Sequence, residues 1–129
     1  MSLTPEQFIL DISSAVKNLV EDEVVLVVQK LSLDALRGVI EKSPVDTGRF
    51  RGNWNVGIGA QDLSTSENTD KDGGPTESKG GGLIDAVGPY VAIWVTNNLP
   101  YATALEFGHS TKGSHMVSRT FAELEATKL

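Results

Sequence analysis

The spacing of apolar residues changes period at one place in this chain, and that change limits the folds available to it. From Phe8 onward, apolar side chains recur mostly every three or four residues, at Phe8, Ile9, Ile12, Val16, Leu19, Val20, Val24, Val27, Leu31, Ala35 and Val39, the repeat of one helical face. From Phe50 the repeat is two. Phe50, Trp54, Val56 and Ile58 fall on one side and Arg49, Arg51, Asn53 and Asn55 on the other, the pattern of a half-buried strand with a polar outer face. Between the two lies Ser43-Pro44-Val45-Asp46-Thr47-Gly48-Arg49. Pro44 disfavours helical backbone at Ser43, while Asp46, Thr47 and Gly48 supply short side-chain oxygens and a free φ for a sharp turn. A helix feeding a sheet within 129 residues, the size of one ordinary domain, predicts an α+β fold.

The rest of the chain can be placed on that frame. Thr4-Pro5-Glu6-Gln7 has the residues of a helix start. Val24 to Val28 suits a strand as well as a helix, and a break near Glu21-Asp22-Glu23 or Ser32 fits the pattern. Residues 61–82 contain Leu63 as their only apolar side chain, too little burial to offset ordering entropy, which predicts a flexible loop inserted between strands. Leu83 to Val87 reads as a short strand closed by Gly88-Pro89. Tyr90 to Thr96 reads as a stronger one, apolar on both faces and so central or at an interface. Pro100 then starts a short helix, with Gly108 just past its end, and Ser114 caps a last helix in which Val117, Phe121 and Leu124 share a face. The expected architecture is a single domain over 1–129. A long N-terminal helix packs on a small antiparallel sheet of three or four strands, with a short helix and a C-terminal helix.

Composition removes several functions. Without cysteine there are no disulfides, thiolate metal sites or cysteine nucleophiles. A net charge of −6 with only 11 basic residues argues against gripping a phosphate backbone. No apolar run approaches the roughly 20 residues of a membrane span, and no signal peptide is visible, so cytoplasmic synthesis is expected. No serine lies in a Gly-x-Ser-x-Gly turn. Gly80-Gly81-Gly82 lacks the Lys-Ser/Thr of a phosphate loop and reads as flexible linker. Glu106, His109 and His115 are the one metal-like set, although their spacing does not preset ligand geometry. Glu106 is also a charge in the wrong place, in the last turn of the short helix where the macrodipole disfavours it. A contact with Arg49 or Arg51 is expected to compensate.

Two blocks carry a resemblance. Pro44-Val45-Asp46-Thr47-Gly48-Arg49-Phe50-Arg51, followed by Asn98-Leu99-Pro100-Tyr101-Ala102 and Leu105-Glu106-Phe107-Gly108, resembles the tail-component family of long-tailed phages and prophages, which includes tail-completion and tail-to-head joining proteins of the lambda Z type. The resemblance spans roughly residues 43–59 and 90–111. It departs at Phe50, where leucine is commoner, and at Gly113-Ser114-His115-Met116, where members often carry a proline and an aromatic. It implies a non-enzymatic part of the virion, assembled in the host cytoplasm as a ring of identical subunits, a hexamer among the candidate counts. Tail tube, terminator or neck proteins would be its partners, with no membrane, sequence-specific nucleic acid or cofactor. The motif or interface residues so implied are Pro44, Asp46, Thr47, Gly48, Arg49, Trp94, Asn98, Pro100, Tyr101, Glu106, Phe107, Gly108 and His109. A tail terminator or other virion protein is one alternative. A small metal-dependent enzyme using Glu106, His109 and His115 is another.

Overall fold

A computed structural model describes residues 21–108 and 114–126 of the chain. Among them are four α-helices and one two-stranded antiparallel sheet: α1 (Glu21–Lys42), β1 (Trp54–Ile58), α2 (Gly74–Asp85), β2 (Ile93–Asn97), α3 (Ala102–Phe107) and α4 (Met116–Glu125). The α+β class is as expected, whereas the sheet has two strands among the described residues rather than three or four. None of the described helices is long and apolar enough to cross a membrane.

The apolar stripe of α1 is its buried face. Val24, Val28, Leu31, Ala35, Leu36, Val39 and Ile40 are all buried, with no break at Ser32 and no strand at Val24 to Val28. Fully burying a side chain such as Leu36 contributes about 1.5–3 kcal/mol. The helix stops at Ser43, whose hydroxyl donates to the Val39 carbonyl at 2.6 Å and accepts the Trp54 indole N–H at 2.7 Å. Arg51 completes the stop by donating to the Glu41 and Ser43 carbonyls, a cation on the negative end of the helix. The proposed start at Thr4 and the apolar positions from Phe8 to Val20 lie outside the described residues.

Helix α2 occupies sequence expected to be loop and strand. Its buried residues are Thr76, Gly80 and Ile84, followed by buried Val87, a helical spacing that a search for large apolar side chains overlooks because Thr and Gly fill two of its positions. It lies antiparallel to α1: Arg37 pairs with Glu77, Leu33 covers Gly81, and Gln29 donates to the Ile84 and Asp85 carbonyls. Leu83 to Val87 is therefore the last turn of this helix and its exit, not a strand. A Cβ on Gly80 would lie 2.5 Å from Leu36 Cδ2 and 2.9 Å from Val56 Cγ2, so the absence of a side chain lets α2 seat on α1 and β1 together.

In the sheet, Trp54 pairs with Asn97, Val56 with Val95 and Ile58 with Ile93. Phe50, Trp54 and Val56 join the core as expected for one face, with Ile93 from β2, whereas Ile58, expected on the same face, is exposed at the strand's end; strand β1 starts only at Trp54. Residues 51–53 form a single 3₁₀ turn. Helix α4 closes the other flank of α1, where Thr120 packs on Gly38 and Lys42 pairs with Glu123.

Candidate functional site

The turn at Pro44 to Arg49 is a corner built to receive another stretch of backbone. Thr47 Oγ1 accepts the Arg49 N–H at 3.2 Å. Gly48 adopts φ +90, a left-handed conformation that glycine takes without a Cβ penalty. Its carbonyl accepts the amides of Gly52 and Asp70, both at 2.9 Å. A Cβ at Gly48 would lie 2.7–2.8 Å from backbone atoms of Asp70 and Lys71. Glycine is thus required twice, for its φ and for the approach of residues 70–71.

Those residues end a strap, 61–72, that crosses the sheet. Side-chain amides hold it by its carbonyls: Asn98 donates to Asp62 and Ser64, Asn55 to Ser64 and Asn53 to Ser66, while the Thr96 hydroxyl donates to Asp62. Asn53 Oδ1 also accepts the Ser66 N–H at 2.8 Å. Asn53 and Asn55 are consequently buried, Asn53 to 1% exposure, which corrects their expected place on a polar outer face. Buried polar groups need such partners. Arg49 donates to the Ser66 carbonyl and to Glu67, and Arg51 to the Lys71 carbonyl.

The strap finishes at a buried carboxylate. Asp70 accepts the Gly73 N–H at 2.8 Å and the Thr76 N–H and hydroxyl at 2.9 and 2.6 Å, capping the first turn of α2. Burial pushes the Asp70 carboxyl up. The hydrogen bonds from Thr76 and Gly73 and the charge of Arg51 outweigh it and hold the group below its ordinary value. Asp62 is also held low, by the Ser64 hydroxyl and N–H.

The two sequence blocks meet around Phe50. Asn97 Nδ2 donates to the Phe50 carbonyl at 2.9 Å, and the Phe50 ring lies 5.9 Å from both Trp54 and Tyr101. An open cleft of about 320 Å³ lies beside this junction, lined among others by Phe50, Trp54, Val95, Asn98, Phe107 and Met116. No family model, curated protein or solved structure matches this chain.

Glu106 is 7% exposed, and its partners are not Arg49 or Arg51. It accepts the Val117 N–H at 2.9 Å and the Ser118 N–H and hydroxyl at 3.2 and 3.1 Å, all from the first turn of α4. The positive end of one helix thus compensates a carboxylate misplaced at the end of another. Gly108, at φ +87, donates its N–H to the Ala104 carbonyl, terminating α3 where expected. His115, not Ser114, precedes α4; it adopts φ +50, and its ring lies 6.4 Å from Phe107.

Of the metal-like set, Glu106 is committed to the α4 cap and His109 lies outside the described residues. No group of three His, Asp or Glu among the described residues is arranged to hold a metal. Trp94 is half-buried opposite Gly57, with its indole N–H buried and unpartnered among the described residues. Asp46, Pro100, Tyr101 and Phe107 are exposed. The site residues therefore divide: Gly48, Thr47, Arg49, Asn98, Glu106 and Gly108 hold the fold, while Tyr101, just before α3, and Phe107, at its end, are exposed aromatics. Asn53, Asn55, Thr96 and Asp70 were missed, and the available signal was polar residues inside strand patterns and an acid shortly before Gly-Gly-Pro-Thr.

Proposed function

We propose that this chain is a structural protein of a long-tailed phage or prophage tail, a tail-completion or head-to-tail joining component. It acts by closing into a ring of identical subunits and docking tail-tube, terminator or neck proteins. The observation that carries the reading is the meeting of the two motif blocks. They are distant in sequence yet share the Asn97–Phe50 hydrogen bond and the Phe50–Tyr101 ring contact, and the junction leaves Tyr101 and Phe107 presented to solvent. Exposed aromatics beside a cleft are suited to a protein interface. A ring requires such a surface to meet a different surface on the next copy. The reading assigns no catalytic residue, and a tail-terminator role uses the same surface.

Light scattering on the purified chain tests it, alone and mixed with phage tail-tube, terminator and neck proteins. A closed oligomer that Tyr101→Ala with Phe107→Ser disrupts, without loss of helical signal, supports the reading. A strict monomer in both settings overturns it.

A further inference from the structure

We propose that the cleft between the end of α1 and the start of α4 binds an acidic peptide segment of a partner protein. Ser118, Arg119 and Ala122 share one face of α4 by their spacing, with His115 immediately before the helix. Together with Lys42 and Pro44 they line an open cavity of about 710 Å³, with no Asp or Glu among its described lining residues. In a chain of net charge −6, a cavity bordered by Lys42 and Arg119 is a local reversal of sign. The acids nearby are engaged elsewhere: Glu106 accepts the Val117 and Ser118 amides, and Glu123 pairs with Lys42.

Both cations are short of acceptors. The Lys42 side chain is only 10% exposed, and its ammonium, with three donors, meets Glu123 at 2.8 Å and the Gly38 carbonyl at a long 3.5 Å. Its third N–H has no acceptor among the described residues. Of the five Arg119 donors, one reaches the Ser114 carbonyl at 3.3 Å, and the others have none among the described residues. A cation withdrawn from water with donors unmatched is costly, and a carboxylate supplies the missing acceptors as charge-assisted hydrogen bonds. His115 holds the border of the cleft at φ +50, a backbone that residues other than glycine seldom adopt, with its ring against exposed Phe107. The cleft thus adjoins the interface aromatics. Its volume exceeds that of a single oxyanion many times over, and Pro44 and Ala122 give it apolar wall, so a chain bearing carboxylates fills it better than a free ion. A nucleic-acid backbone is the poorer occupant because the rest of this acidic molecule repels phosphates. The inference deepens the reading above and rests on it for the identity of the partner as a tail protein.

Hexaglutamate titrated into the isotope-labelled full chain, followed by amide NMR shifts, is the test. Saturable shifts are expected at Lys42, His115 and Arg119, weakened by salt and absent with hexaglutamine. Arg119→Gln, at an exposed position, should lower the affinity about tenfold or more with unchanged far-UV circular dichroism, and Lys42→Gln should do the same. Lys79→Gln, on the exposed side of α2, should leave binding intact. No shifts at the cleft, equal shifts with hexaglutamine, or binding that survives both substitutions overturns the proposal. Inorganic phosphate that reproduces the shifts at the same concentration of charge, or duplex DNA that displaces the peptide, overturns the class of ligand. An oligomer that hexaglutamate dissolves overturns the partner, since a second copy then fills the cleft. Saturable binding to a strict monomer upholds the cleft while the ring reading falls, and an intact ring without binding removes the cleft alone.

Discussion

The carboxylate of Glu106 binds Ser118 twice, through the backbone N–H at 3.2 Å and the hydroxyl at 3.1 Å, and so ties the end of α3 to the start of α4. Removing it leaves the partly buried amides of Val117 and Ser118 without their cap, at a cost of about 1–2 kcal/mol. Glu106→Ala is expected to lower stability by that amount in urea melts, with Glu106→Gln costing about half as much. A Glu106→Ala protein as stable as the parent contradicts the capping role.

Gly48 stands between the corner and the strap. Gly48→Ala places a Cβ against the backbone of residues 70–71 and forces a positive φ on alanine, together worth about 2 kcal/mol or more. Limited proteolysis is expected to cleave 61–70 faster in this variant than in the parent. Equal cleavage rates would show that the strap does not depend on the corner.

Acid should loosen the strap through Asp70. Its carboxyl is depressed in the folded state, so its stabilising contribution is present above the unfolded value, near pH 4, and is lost as the pH falls through the lower folded value. Asp70→Asn, although less stable at neutral pH, should show a shallower decline in urea midpoint between about pH 5 and pH 2. An unchanged slope sinks the assignment.

The glycine triplet separates into unequal members. A Cβ on Gly82 meets nothing within 4 Å, whereas one on Gly80 meets Leu36 and Val56. Gly82→Ala should stabilise α2 by about 0.5–1 kcal/mol, and Gly80→Val should destabilise by about 1–3 kcal/mol through overpacking. Thermal melts of the two variants should therefore move in opposite directions.

Elements whose burial relies on large apolar side chains were legible in the sequence. The stripe of α1, its stop at Ser43-Pro44, the alternation around Trp54 and Val56, and the termination of α3 by Gly108 all follow from period and turn chemistry. Helix α2 was not legible, since Thr76 and Gly80 hold its buried face by fitting closely rather than by being hydrophobic. The buried asparagines were misplaced because alternation assigns polar residues to water, and only the strap's carbonyls explain their burial. Glu106 was recognised as needing compensation. Its partner was missed because a backbone amide at the start of another helix leaves no residue type to find.

The clamps on the strap read main-chain oxygens, and every residue offers the same oxygen. The instruction for where 61–66 lies is thus written in Asn53, Asn55, Thr96 and Asn98, outside the segment that obeys it. Substitutions at the exposed positions Leu63, Thr65 and Asn68 should accumulate freely without shifting the path of the backbone. The segment is a natural place to write an epitope or a labelling tag into this protein.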